Sequence, residues 1–332
     1  MKTSGMKKKV LIFPNLHAEA REMLAARPDF ELVVPESLDP ETASRLMPDI
    51  DAFIVRVSRV DRQLIERAHR LKIVCRHGVG LDNLDLPALA EKGIIATDVG
   101  LANMPAVLEH TIGFMLMLAR QFNTYDAGVR ANRYTETKDL RVAFELRDKT
   151  LLVIGLGRIG CQVARIANAF GMRVLGVDIA KTPDEIRAIG CEPVTDWRAR
   201  LPEVDMLTLH CPKTELTVGM IGEAEFAAMK PSARLVNCAR GGIVDERALI
   251  KALESGRLAA AAIDVQEREP MPEHDPLLGC RNLILTPHAA AATQESVRRM
   301  ALQCAKNVCD YFDGTLDESM IVNGLKAPRV KS

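Results

Sequence analysis

The sequence is poor in the features that mark nucleic-acid-binding, membrane or disulfide-framed proteins. Lys plus Arg and Asp plus Glu each number 44 in 332 residues, so no net field draws the chain toward polyanions or a charged membrane surface. One Trp and three Tyr leave no aromatic ladder on which bases stack. No run of about 18 apolar residues occurs, which argues against a membrane-crossing helix. The basic start MKTSGMKKKVLIF has an apolar stretch that ends at Pro14 after four residues, too short for a signal peptide, and Met6 is an equally good first residue. Eight cysteines (Cys75, Cys161, Cys191, Cys211, Cys238, Cys280, Cys304 and Cys309) form no CxxC pair, and most lie in apolar segments, where Cys acts as a small hydrophobe. Neither a disulfide framework nor a metal site is expected, and a reducing, cytoplasmic location is. No nucleic-acid or membrane partner is expected either.

What is present is an alternation of short apolar runs with longer helical patterns, the mark of a parallel α/β architecture. The length is that of two domains, and 48% hydrophobic content is enough for two cores. The first block places strands at VLIF (10–13), FELVV (30–34), AFIVRV (52–57), KIVCR (72–76) and GIIATDV (93–99). Amphipathic segments such as HAEAREMLAAR (17–27) and DRQLIERAHR (61–70) lie between them. The second block begins at TLLVIGLGRIG (150–160). It continues through MRVLGVD (172–178), VDMLTLH (204–210), ARLVNCA (233–239), LAAAAIDV (258–265) and NLILT (282–286). Between the blocks, residues 104–129 repeat their apolar positions at helical spacing, and Pro105 suits a first turn. The 44 residues after His288 hold one helix pattern (295–314), closed by Gly314, and are too few for a domain. We read them as returning to the first block. The expected layout is a discontinuous domain of residues 1–104 and 291–332, with residues 105–290 as the second domain.

VIGLGRIG sets Gly155, Gly157 and Gly160 in GxGxxG spacing, directly after an apolar strand and at the opening of a helix pattern. That context is what a dinucleotide-binding turn requires: glycines permit the tight turn and let backbone N–H groups approach a pyrophosphate. Asp178, eighteen residues after Gly160, ends the next strand. A carboxylate there accepts from adenosine ribose hydroxyls and repels a 2′-phosphate, which favours NAD; Lys181 keeps NADP as the alternative.

Other polar residues also stand at the ends of strands: His210, Arg240, Asp264 and His288. In a parallel sheet these ends share one edge with the glycine turn, so His288 belongs to a group converging on a nicotinamide. The loop QEREP (266–270) brings an acid toward His288, and either Glu267 or Glu269 satisfies the spacing. A carboxylate on imidazole fixes its tautomer and favours its protonated form. Arg240, fork-shaped and always charged, suits the grip of a carboxylate or carbonyl.

These segments resemble the D-isomer-specific 2-hydroxyacid dehydrogenase family. The resemblance is carried by RHGVGLDNLD (76–85), NMPAVLEHT (103–111), GLGRIG (155–160), LHCPKTELTVGMI (209–221), VNCARGGIVDERAL (236–249), AAIDVQEREP (261–270) and LTPHAAAATQES (285–296). It implies two Rossmann-like, doubly wound parallel-sheet domains: a flavodoxin-like substrate domain and an NAD-binding Rossmann domain inserted into it. It also implies a homodimer built on the cofactor side. The implied activity is NAD-dependent transfer of a hydride between nicotinamide C4 and C2 of a D-2-hydroxy acid or its 2-oxo acid. On the matching positions the catalytic arginine falls on Arg240, the glutamate on Glu269 rather than Glu267, and the histidine on His288. His288 then serves as acid and base, Glu269 orients it, and Arg240 binds substrate. Val79 and Gly80, with Asn103, are implied to cradle the substrate carboxylate. Asp264 is implied to face the nicotinamide carboxamide and Arg158 the pyrophosphate. Ile159, His210, Cys211, Pro212, Thr217, Cys238 and Ala239 complete the implied cofactor contacts.

The chain departs from the family pattern in places. Gln266 stands where an aromatic residue is frequent, VRVSRVD (55–61) is one residue shorter than in phosphoglycerate enzymes, and His77 replaces a small residue. With no regulatory domain expected after residue 332, these departures weigh against 3-phosphoglycerate as substrate. Arg56, Arg59, Arg76 and His77 are candidates for contact with an anionic distal group. Two other readings use the same scaffold: a phosphite- or formate-type dehydrogenase, and an NAD-sensing, corepressor-like binding protein. Glu269 argues against formate, and the lack of long disordered extensions argues against the corepressor.

Overall fold

Runs such as VLI and FIV are apolar at every position, which suits strands covered on both faces. In the computed structural model, which describes residues 6–327, they form parallel sheets. The chain divides into two compact units. One holds the described residues up to Asn103 together with those from Ala292 onward, and the other is Met104–Ala291.

The first unit carries β1 (Lys8–Ile12), β2 (Phe30–Val33), β3 (Ala52–Val55), β4 (Ile73–Arg76) and β5 (Ile95–Thr97), in the order β2-β1-β3-β4-β5. This is the flavodoxin-like doubly wound arrangement. A long helix, Gln294–Asp313, completes the unit. Its Thr293 side chain accepts from Ser296 N–H at 3.1 Å, and Gly314, with φ of 72°, closes it. Its inner face buries Met300, Ala301, Cys304 and Val308. Asn307 on that face donates to Thr97 Oγ1 and to the Asp98 carbonyl, at 3.2 and 3.0 Å.

The second unit carries β6 (Thr150–Ile154), β7 (Arg173–Val177), β8 (Glu192–Pro193), β9 (Met206–Leu209), β10 (Arg234–Asn237), β11 (Ala260–Ile263) and β12 (Leu283–Leu285). Their order is β12-β11-β10-β9-β6-β7-β8, so strand order reverses between β6 and β9. Ligands bind beyond the carboxyl ends of the strands at such a reversal. The segment 104–129 is not one helix. Met104–Arg120 ends at Gln121, whose φ is 54°, and Phe122–Arg130 follows. The first of these helices buries Val107, Phe114, Met115 and Leu118 with Leu151, Val153 and Val236 of the sheet, each large side chain contributing about 1.5–3 kcal/mol. Among the described residues, no helix is long and apolar enough to cross a membrane.

Candidate active site

The glycine turn lies at the reversal of strand order. Gly155 has φ of 93°, and a Cβ there would sit 2.6 Å from the His210 carbonyl carbon. At Gly160 a Cβ would meet the Gly155 oxygen at 2.0 Å. A side chain at either position would force the turn apart, whereas a Cβ at Gly157 meets nothing within 4 Å. The turn therefore presents bare backbone where a pyrophosphate needs it. Asp178, just after β7, accepts from Leu156 N–H and Ala180 N–H, both at 2.8 Å. These bonds orient the carboxylate and leave further lone pairs for ribose hydroxyls. Ile179 beside it is 96% exposed, an apolar surface suited to an adenine face. Bare backbone, oriented carboxylate and exposed apolar side chain together fit a dinucleotide.

The other expected cofactor residues frame this edge. Arg158 is exposed, and Ile159 immediately precedes the helix Gly160–Ala169. His210 Nε2 lies 3.0 Å from Thr208 Oγ1, and burial pushes the imidazole down to about 4. Burial also pushes the Cys211 thiol up to about 11 and the Cys238 thiol to about 12, so neither is a thiolate at neutral pH. Thr217 Oγ1 donates to the Pro212 carbonyl at 2.7 Å and tightens the loop after β9. Ala239 N–H donates to Asn237 Oδ1 at 3.0 Å.

At the neighbouring strand ends, Arg240, Glu269 and His288 come together. Arg240 follows β10, and its Nη1 donates to the Ala239 carbonyl at 2.6 Å. A Cβ on Gly241 would lie 1.8 Å from the Gln266 oxygen, so only glycine lets the Arg240 turn pass against the loop that carries Glu269. The two acids of that loop part company. Glu267 and Glu246 each accept from the other's backbone N–H, at 3.1 and 2.6 Å, which turns Glu267 toward the helix Glu246–Glu254. Glu269 Oε2 instead lies 2.7 Å from His288 Nδ1, and its Oε1 accepts from Gln266 N–H at 3.1 Å. Burial alone would raise the Glu269 carboxyl. The hydrogen bonds from His288 and Gln266, with the charges of His288 and Arg240, outweigh burial and hold it below the ordinary carboxylate range. An ionised Glu269 only accepts, so Nδ1 is the donor and Nε2 is the nitrogen left for chemistry. The His288 side chain is 49% exposed.

His288 has φ of 52°, a left-handed conformation that costs a side-chain-bearing residue about 1–3 kcal/mol. Asp264, 1% exposed, holds the turn in that shape. Its backbone carbonyl accepts from His288 N–H at 2.8 Å. Its carboxylate accepts from Thr286 Oγ1 at 2.5 Å, Ala289 N–H at 2.7 Å and Ala290 N–H at 2.9 Å. Resemblance implies that Asp264 faces a carboxamide; in the structure both its oxygens serve the His288 turn. Gln266 donates from Nε2 to the Thr286 carbonyl at 3.2 Å, so a polar tie joins the Glu269 loop to the His288 turn. The sequence assigns no role to Gly241, Thr286 or His110, and marks Gln266 only as a departure from the family pattern. The paired glycines after Arg240 and the polar residues set in apolar runs are the only signals there.

The expected substrate residues belong to the first unit. Arg76, His77, Val79 and Gly80 lie at and beyond the end of β4, and Asn103 lies beyond β5. Arg76 donates to Asn83 Oδ1 at 3.0 Å and to the His77 carbonyl at 2.6 Å. Val79 and Gly80 are part-exposed. His77 is 3% exposed, edge-on to Phe13 at 5.1 Å, with neither ring nitrogen in hydrogen-bonding geometry. Burial, reinforced by the Arg56 charge, pushes it down to about 4. The imidazole is therefore enclosed and neutral near pH 7.

Residues 112–290 match the NAD binding domain of D-isomer specific 2-hydroxyacid dehydrogenases. The chain is 39% identical to a D-3-phosphoglycerate dehydrogenase of Methanocaldococcus jannaschii, over 97% of this chain but only 61% of that protein's length. It is 35% identical to a glyoxylate reductase of Aeropyrum pernix, over 94% of this chain and 95% of that protein. A solved D-lactate dehydrogenase from Aquifex aeolicus, complexed with NAD and lactic acid, has a TM-score of 0.86 at 29% identity, covering 96% of this chain and 100% of that one. The chain belongs to the D-isomer-specific 2-hydroxyacid dehydrogenase family.

Proposed function

We propose that the protein is an NAD-dependent oxidoreductase that interconverts a D-2-hydroxy acid and its 2-oxo acid. The observation that carries this reading is the 2.7 Å pair of Glu269 and His288, on the same sheet edge as Arg240 and the glycine turn. The Gly155–Gly160 turn and Asp178 would hold NAD, which would supply the hydride acceptor in oxidation and, reduced, the donor in reduction. His288 Nε2 gives a proton to the 2-oxo oxygen in reduction and takes the hydroxyl proton in oxidation. Glu269 fixes the ring's tautomer and direction. Arg240 grips the carbonyl oxygen and carboxylate and stabilises the charge that develops on that oxygen. Val79, Gly80 and Asn103 receive the substrate carboxylate. Asp178 favours NAD over NADP by repelling a 2′-phosphate.

A spectrophotometric screen of NADH oxidation tests this reading. It covers glyoxylate, hydroxypyruvate, pyruvate, oxaloacetate, phenylpyruvate and branched 2-oxo acids, repeated with NADPH. Turnover of at least one acid, faster with NADH, is the expected result. NADH binding without turnover of any acid would instead favour a cofactor-sensing binding protein. We also propose a cytoplasmic homodimer. Exposed Phe122, Val129, Tyr134, Leu140 and Val142, on and beside the helices Phe122–Arg130 and Tyr134–Asp139, support the dimer, which light scattering checks.

A further inference from the structure

The reaction scheme leaves His110 without a task. This residue sits on the helix Met104–Arg120, which lies against β10 and β11, and meets Phe114 edge-on at 4.4 Å. Its Nε2 lies 3.2 Å from Thr286 Oγ1 and 3.8 Å from Asp264 Oδ1. The direction of these bonds follows from counting protons. Asp264 Oδ1 already accepts from Ala289 N–H, and Thr286 Oγ1 stands 2.5 Å from it, so the threonine proton points at the carboxylate. Thr286 Oγ1 then has only lone pairs left for His110, which makes Nε2 a donor. The chain of donation runs His110 to Thr286 to Asp264. Asp264 in turn receives the backbone of His288, Ala289 and Ala290.

We propose that His110 is a positioning residue for His288. It ties the helix layer to Thr286 and stiffens the turn that keeps His288 in its left-handed conformation. The proposal rests on the reading of His288 as the acid and base. Gln266 ties the same turn to the Glu269 loop, so the two tethers set the ring's position from two elements. Loss of the His110 donor acts on how well Nε2 is aimed when the proton moves. Cofactor and substrate binding do not depend on that aim, so kcat moves and KM does not.

Two variants separate this from simple packing. H110F keeps a flat ring beside Phe114 but removes the donor, and H110Q returns an N–H near the position of Nε2. In steady-state reduction of the best 2-oxo acid, H110F should lower kcat on the order of tenfold, with KM and the Kd for NADH within about twofold. H110Q should recover most of the loss. Amide exchange of residues 286–290, measured without substrate, should quicken in H110F and return toward wild type in H110Q. Wild-type kcat in H110F, an equal loss in H110Q, or unchanged exchange would each overturn the proposal. If the wild-type protein reduces no 2-oxo acid, the functional reading fails, and the exchange measurement alone decides the tether.

Discussion

His77 and His288 stand at comparable places in the two units, each just beyond the carboxyl end of a parallel strand, yet their surroundings differ in every respect that matters to chemistry. His77 is enclosed against Phe13 with neither ring nitrogen in hydrogen-bonding geometry, and burial leaves it neutral. His288 is half-exposed, carries an ionised carboxylate on one nitrogen and presents the other. Its backbone is strained, and Asp264 anchors the turn that strains it. Residue type and strand position are the same in both cases. Solvent access and a carboxylate partner decide which imidazole can exchange a proton.

The largest expected effect breaks the comparison at His288. H288A should lower 2-oxo acid reduction by roughly 10²–10⁴-fold while NADH binding, read by fluorescence, stays nearly intact. Retained turnover would return His288 to the same structural class as His77. E269Q should cost less, on the order of a hundredfold in kcat, because the ring stays but its orienting anion is gone. The pH dependence sharpens this test. Glu269 is held below its ordinary 4.5, so its carboxylate is present across the neutral range and is lost only as pH falls through that lowered value. Any stability or activity that depends on the pair disappears on that acid side, and E269Q should lack this limb.

The smallest effect concerns His77 and is one of stability. Folding holds it at about 4 against an ordinary 6.5, so between these values the unfolded chain binds a proton that the folded one does not. Stability therefore falls as pH drops through that window, by at most about 3 kcal/mol from this residue. H77F should flatten the pH dependence of the unfolding midpoint between pH 7 and pH 4.5, with some slope remaining from the similarly depressed His210. An unchanged slope would show that His77 has a partner when folded.

Much of the fold is legible because its signals are local. Leu151, Leu152, Val153 and Ile154 form an unbroken apolar run because both faces of β6 are covered. Glu192–Pro193 carries no such run, and β8 is found only as an edge pairing with β7. Gln121 bears no mark of the left-handed break that splits the helical segment after Arg120. In the site, the glycine spacing and the strand-end positions of Arg240, Asp264 and His288 are readable. The roles of Gln266 and Thr286 are not, since each depends on a partner from another loop.

The sequence by itself determined the parallel α/β architecture, the glycine turn after β6 and the family to which the strand-end residues point. Apolar period, glycine spacing and motif order are properties of neighbours along the chain. Only the tertiary structure decided that Glu267 caps a helix while Glu269 meets His288, and that His77 is enclosed while His288 is open. Those outcomes depend on which distant segments close over a side chain. Burial and pairing, which set what a histidine or a carboxylate can do, exist only once the chain has folded.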